Sequence, residues 1–131
     1  IKGKILMAED MFVDAVRRNA SLRKRGYEVD IAKDGIEAIK KVQQNPNYDA
    51  ILMNFLMPRA NGFRATQFIR QVLAYDRPII GFSVAHTEDH VDAGLSAGMD
   101  TYVFSNLGDD HIIYHLEKWL DNPKYRKSTT V

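Results

Sequence analysis

The chain has 131 residues, 45% apolar and 27% charged, which fits one domain able to bury a core without staples. A net charge of +1 and the absence of cysteine exclude a strongly basic nucleic-acid binder, a disulfide scaffold and a thiolate metal site, and suit a cytoplasmic setting. No apolar run approaches the ~20 residues that span a bilayer and no signal-peptide pattern appears, so no membrane insertion is expected.

Short continuous apolar runs alternate with segments of helical period. Residues 4–8 (KILMA) read as a strand covered on both faces. Residues 12–25 form an amphipathic helix. Val13, Val16 and Ala20 point inward, Arg17, Arg18, Lys24 and Arg25 stay in solvent, and Gly26 stops it. Residues 27–32 (YEVDIA) alternate as a strand. Residues 35–44 are helical with Ile36, Ile39 and Val42 inward, ended by Asn45-Pro46. Residues 49–53 (DAILM) make the third strand, and residues 63–73 a helix with an apolar stripe of Phe68, Ile69 and Val72. Asn61-Gly62 before it is a turn pair that tolerates positive φ. Residues 77–83 (RPIIGFS) are the fourth strand, with Pro78 tolerated at its start. A short helix over 88–97 is closed by Gly98, and residues 101–104 (TYVF) are the fifth strand. The last helix, 109–120, packs Ile112, Ile113, Leu116, Trp119 and Leu120 inward. Pro123 ends it, giving a domain over 1–122 and a flexible tail over 123–131. The chain begins at Ile1, and a piece of a longer protein is the expectation.

Strict β–α alternation predicts an α/β fold: a five-stranded parallel sheet, order 2-1-3-4-5, flanked by five helices in the flavodoxin-like manner. Its crevice lies beyond the C-terminal strand ends, at the switch between strands 1 and 3. The residues found there are Glu9 and Asp10 after strand 1, Asn54 after strand 3, Ser83 after strand 4 and Ser105 after strand 5. Two adjacent carboxylates repel, so Glu9 and Asp10 call for a cation, and a hard divalent ion such as Mg²⁺ suits their oxygens. The other reading makes Asp10 the N-cap of the first helix.

Taken together, "KILMAED", "GYEVDIAKDGIEAI", "YDAILMNFLMPRANGFRATQFIR", "RPIIGFSVA" and "AGMDTYVFSN" resemble the receiver domain of response regulators and hybrid histidine kinases, over roughly residues 4–120. In that family an Asp ending strand 3 accepts a phosphoryl group from phosphohistidine and holds Mg²⁺ with the acidic pair. A Ser or Thr ending strand 4 binds the phosphoryl group, a Lys ending strand 5 neutralises it, and an aromatic in strand 5 turns inward on activation. Here Glu9 and Asp10 match the acidic pair, Ser83 the hydroxyl and Tyr102 the aromatic. Two positions depart. Asn54 replaces the acceptor Asp, and Ser105, followed by Asn106, replaces the Lys-Pro pair.

An amide oxygen is a poor nucleophile without charge to supply, and Ser105 cannot replace an ammonium group. Two carboxylates in place of three leave Mg²⁺ weakly bound at most, so no cofactor is expected. The expectation is a non-enzymatic, non-phosphorylatable pseudo-receiver domain. It would act by protein–protein contact in two-component or phosphorelay signalling, as part of a hybrid kinase or regulator. The alternative is a phosphorelay receiver carrying an engineered Asp-to-Asn change at position 54. A third class, a flavodoxin-like enzyme or nucleotide binder, lacks both G-x-G-x-x-G after strand 1 and G-x-x-x-x-G-K-[ST].

The resemblance implies a histidine kinase or histidine-phosphotransfer protein as partner, docking at the first helix, and pairing of two copies through the face of helix 4, strand 5 and helix 5. The basic cluster of Arg17, Arg18, Arg23, Lys24 and Arg25 reads as a solvated face that could steer an acidic partner. Tyr102 reads as a surface aromatic of strand 5. Phe55, Leu56 and Met57 put apolar bulk beside the crevice, as a cover or an exposed patch. His86/His90 and His111/His115 each have i, i+4 spacing, but no third metal ligand is evident.

Overall fold

The computed structural model describes residues 2–59 and 61–125. Five strands, β1 (Gly3–Ala8), β2 (Tyr27–Ala32), β3 (Ala50–Asn54), β4 (Ile79–Ser83) and β5 (Thr101–Phe104), alternate with α1 (Phe12–Lys24), α2 (Gly35–Gln44), α3 (Gly62–Gln71), α4 (Glu88–Ala97) and α5 (Asp109–Leu120). All strand pairs are parallel and the sheet order is β2-β1-β3-β4-β5, as the alternation predicts.

The strands read as near-continuous apolar runs because both sheet faces are covered. Along β1 and β3, alternate residues enter different cores. Leu6, Ala8, Ile51 and Met53 pack with Ala38, Val42, Ala65 and Ile69 of α2 and α3. Ile5, Met7, Ala50 and Leu52 pack with Ala15 and Leu22 of α1 and Ile112, Ile113 and Leu116 of α5. The period of two thus sorts one chain segment into two helix layers. Asp34, Asn61 and Thr87 start α2, α3 and α4 by accepting hydrogen bonds from the backbone N–H of Glu37, Arg64 and His90.

Several side chains face differently from the sequence pattern. On α1 the buried arc is Ala15, Arg18 and Leu22, while Val13 and Val16 are exposed. Both arcs have i, i+3, i+7 spacing; the structure buries the one whose Ala15 and Leu22 pack with the strands and α5, and Arg18 between them is paired with Glu9 and Asp109. Ile36, Phe68 and Val72 are exposed, and Ala38, Val42, Ala65, Thr66 and Ile69 carry the buried faces of α2 and α3. Asn61 is a cap with φ −71°; among the described residues of that loop, positive φ falls at Arg59, at 65°. Tyr102 is buried, not a surface aromatic.

A flexible tail was expected from residue 123. Instead Pro123–Tyr125 form a 3-10 turn with Tyr125 buried; its hydroxyl donates to Asp100 at 2.6 Å, and its carbonyl accepts from Arg77 at 2.7 Å. The remainder of that segment, 126–131, lies outside the described residues.

Candidate functional site

The crevice forms where β1, β3 and β4 end side by side. Ala8 pairs in register with Met53, and Asn54 with Phe82. That register brings Glu9, Asp10, Asn54 and Ser83 to one cleft, and the 3-10 turn Ser105–Leu107 after β5 adds Ser105. The cleft has a volume of about 250 Å³, below the roughly 300–1,000 Å³ of sites that enclose a drug-sized ligand. It offers little room for the nucleotide of the third class.

Asn54 is the last residue of β3. Its amide oxygen accepts from the Leu56 backbone N–H at 3.2 Å, which orients the group. The amide nitrogen then faces the acidic pair, donating to Glu9 Oε2 at 2.5 Å and Asp10 Oδ1 at 3.3 Å. Asp10 is no helix cap: Met11 holds the N-cap position of α1 and no side chain caps it. Gly62 allows this arrangement, since a Cβ there would lie 2.1 Å from the Asn54 carbonyl oxygen.

The second oxygen of Glu9 is also taken. Arg18 donates from Nη1 to Glu9 Oε1 at 2.6 Å and from Nε to Asp109 Oδ1 at 2.9 Å. Its guanidinium lies over the Phe82 ring, 4.5 Å from the centroid, and the residue is 5% exposed. Arg17 joins from the surface, bridging Asp14 at 2.7 Å and Asp109 at 2.6 Å. Burial pushes the Glu9 carboxyl up, while the hydrogen bonds from Arg18 and Asn54 pull it back only in part. Burial also raises Asp109, but Arg17 and Arg18 outweigh it and hold that carboxyl below the ordinary Asp value.

Arg18 and Asp109 are the site residues that sequence reasoning missed, and Phe82, read only as part of the fourth strand's end, lies under the Arg18 guanidinium. The available signal was the Ala15–Arg18–Leu22 spacing, which puts an arginine on a helical arc that can face the sheet. Of the basic cluster only Arg18 leaves the solvated face; Arg17, Arg23, Lys24 and Arg25 are exposed, and the three arginines among them also bind neighbours. Arg17 and Arg18 bind Asp109, Arg25 binds Asp110 and Glu117, and Arg23 binds Asn19 and the Val29 carbonyl.

These contacts bear on a metal. Each Glu9 oxygen already accepts from one N–H donor, which leaves an ion only their remaining lone pairs and those of Asp10. With the Arg18 guanidinium on Glu9 and the Asn54 N–H groups turned toward the acidic pair, the residues present fit a divalent cation poorly in this arrangement. Among the described residues no group of three or more His, Cys, Asp and Glu side chains gathers elsewhere to hold one. His111 and His115 meet edge to face at 4.7 Å, whereas His86 packs on Tyr102 and Phe104, and His90 on Phe55.

Ser83 is buried, and its hydroxyl accepts from the Ala85 backbone N–H at 3.0 Å. Tyr102 turns inward, donates to the Ala85 carbonyl at 2.5 Å and packs against Phe55. Phe55 and Met57 belong to the core, while Leu56 is exposed at the cleft.

A parallel sheet in this order, with an acidic pair after β1 and a polar side chain ending β3, defines a receiver-type signalling domain. The chain belongs to the response regulator receiver domain family, whose profile matches residues 5–117. It is 34% identical over 110 residues to hybrid signal transduction histidine kinase I of Dictyostelium discoideum, covering 79% of this chain and 6% of that protein. It is 32% identical over 117 residues to sensor protein EvgS of Escherichia coli K12, covering 89% of this chain and 10% of that protein. The chain thus spans a tenth or less of the length of these two relatives. Among solved structures, the receiver domain of a sensor histidine kinase of Pseudomonas aeruginosa matches with TM-score 0.82 and 31% identity, over 92% of this chain and 98% of that one; that structure has a magnesium ion coordinated in its active site cleft. The Vibrio cholerae chemotaxis protein CheY4 shares the fold, with TM-score 0.83 and 24% identity over 89% of this chain and 98% of that one.

Proposed function

We propose that this receiver domain is a pseudo-receiver. It takes no phosphoryl group at residue 54 and acts by protein–protein contact in a two-component or phosphorelay pathway, as a cytoplasmic, non-enzymatic part of a hybrid kinase or regulator. The observation that carries this reading is the Asn54 amide. Its nitrogen donates to Glu9 and Asp10, so the position offers N–H groups where phosphoryl transfer needs an anionic oxygen. Ser105 supplies no cation for the developing charge, and the Arg18 guanidinium is already committed to Glu9 and Asp109.

Two of these departures are independent of residue 54: Ser105 and Asn106, which stand in place of the Lys-Pro pair. They favour a natively degenerate cleft over a single engineered change. The contact surface of the proposal is apolar. Met11, Phe12, Val13 and Val16 are exposed on and beside the start of α1, with Leu56 and Val84 exposed at the cleft. The partner proposed for it is a histidine kinase or histidine-phosphotransfer protein. Exposed Leu95 on α4 and Tyr114 on α5 flank the face proposed for pairing two copies.

The test is titration of the partner kinase's histidine-phosphotransfer domain into this chain, with and without a phosphodonor. Binding that is unchanged by the donor supports the proposal. Donor-dependent binding with phosphate on residue 54 contradicts it.

A further inference from the structure

We infer that Arg18 is the resident cation of this cleft: its guanidinium does for Glu9 what a divalent ion would otherwise do for the acidic pair, and the domain holds its cleft together without metal. This rests on the pseudo-receiver reading and adds to it a regulatory consequence, indifference to Mg²⁺.

Glu9 is 3% exposed and follows directly from a buried strand, so its charge cannot be left to water. An unpaired carboxylate in that position would be strongly unfavourable. Arg18 meets it at 2.6 Å and is itself 5% exposed. One planar fork reaches Glu9 through Nη1 and Asp109 through Nε, tying the end of β1 to the start of α5. A lysine presents a single point charge and could not bridge two carboxylates in the same plane. Phe82 forms the floor, its ring 4.5 Å below the guanidinium. The Asn54 amide fills the other Glu9 oxygen and leans on Asp10.

A divalent ion on Glu9 Oε2 and Asp10 would have to displace the Asn54 amide and stand beside the Arg18 guanidinium. The ion would gain Glu9 and Asp10 as ligands, but Arg18 would be left buried beside a second positive charge. Mg²⁺ also dehydrates reluctantly and demands near-octahedral oxygen geometry, whereas Asn54 turns N–H groups toward this space. Guanidinium and metal therefore compete for the charge of Glu9, and the guanidinium is covalently present.

The competition predicts a sign reversal on removing the arginine. In Arg18→Met the Glu9–Asp10 pair loses its cation and becomes a ligand set. The test is thermal unfolding of the 131-residue chain and its Arg18→Met variant, in EDTA and in Mg²⁺, with ionic strength matched by NaCl. The unsubstituted chain should unfold at the same temperature in both. The variant should unfold lower in EDTA and recover by about 5 °C in saturating Mg²⁺. A Mg²⁺ response of the unsubstituted chain as large as the variant's, or a folded variant that Mg²⁺ does not rescue, would overturn the inference.

Should the variant fail to fold, paramagnetic Mn²⁺ on the unsubstituted chain decides. The amide resonances of Glu9, Asp10 and Asn54 should stay unbroadened, and selective broadening there would overturn the inference. Phosphate on Asn54 would defeat the pseudo-receiver reading whatever the metal does. Mg²⁺ binding without phosphorylation would defeat only the metal-free cleft.

Discussion

Asn54 Nδ2 lies 2.5 Å from Glu9 Oε2, and the opposite Glu9 oxygen lies 2.6 Å from Arg18. A buried carboxylate is thus held between an amide and a guanidinium, and the strand end that presents a phosphoacceptor in related domains here presents a hydrogen-bond donor.

That relationship makes Asn54→Asp a destabilising change, not a simple repair. The substitution removes both amide donations and places a third carboxylate beside Glu9 and Asp10. A loss of about 1–3 kcal/mol at neutral pH is expected, shrinking as the new carboxyl protonates on acidification. Urea denaturation at neutral and mildly acid pH measures it. The variant should also take phosphate slowly from acetyl phosphate, because Ser105 offers no ammonium group.

Gly62→Ala tests how closely α3 approaches the site. The added methyl would lie 2.1 Å from the Asn54 backbone oxygen, and backbone cannot swing aside as a side-chain tip can. A loss of about 2–3 kcal/mol is expected, with the resonances of Asn54 and Glu9 shifted in a heteronuclear NMR spectrum.

Much of the frame was legible in the sequence. Short apolar runs located all five strands, and α2, α4 and α5 begin and end where the helical period and the Asn45-Pro46, Gly98 and Pro123 stops place them. Facing was less legible. Val13 and Arg18 occupy competing arcs of α1, and the buried one packs Ala15 and Leu22 against α5 and pairs Arg18 with Asp109, 91 residues away along the chain. Tyr102 was misplaced for a related reason. Gly94 of α4 leaves a hollow in which even a Cβ would sit 2.9 Å from the tyrosine ring, so the ring fills the space from β5. Neither fact is local, and periodicity reports only local order.

Asp109 should contribute to acid sensitivity. Its carboxyl, like those of Asp34, Asp30 and Glu117, is held below its ordinary value: 3.8 for Asp, 4.5 for Glu. Burial opposes the shift at Asp34 and Glu117, where Arg59 and Lys2 are among the groups that outweigh it, while the Tyr48 hydroxyl leads the lowering at Asp30. A depressed folded-state pKa contributes stability above the ordinary value that is lost as pH falls through the folded value. Glu9 is raised and runs the opposite way, its contribution fading as pH rises, so it blunts the slope. Melting temperature should therefore decline as pH drops below the ordinary carboxylate range, and Asp109→Asn should flatten that decline while lowering stability at neutral pH.

Tyr102→Phe removes the hydroxyl that donates to the Ala85 carbonyl at 2.5 Å. A loss of about 1 kcal/mol is expected, with the ring kept inward by Phe55 and Gly94. Beryllofluoride, a phosphoryl mimic, should leave the His86 and Tyr102 ring resonances where they are; a shift of both would reveal a working switch.

The most direct measurement is intact-mass and peptide mass spectrometry after incubation with acetyl phosphate and Mg²⁺, with a phosphorylatable receiver domain treated in parallel. The account predicts that the control takes up a labile phosphoryl group while residue 54 of this chain stays unmodified. A phosphoryl adduct mapped to Asn54 would contradict it.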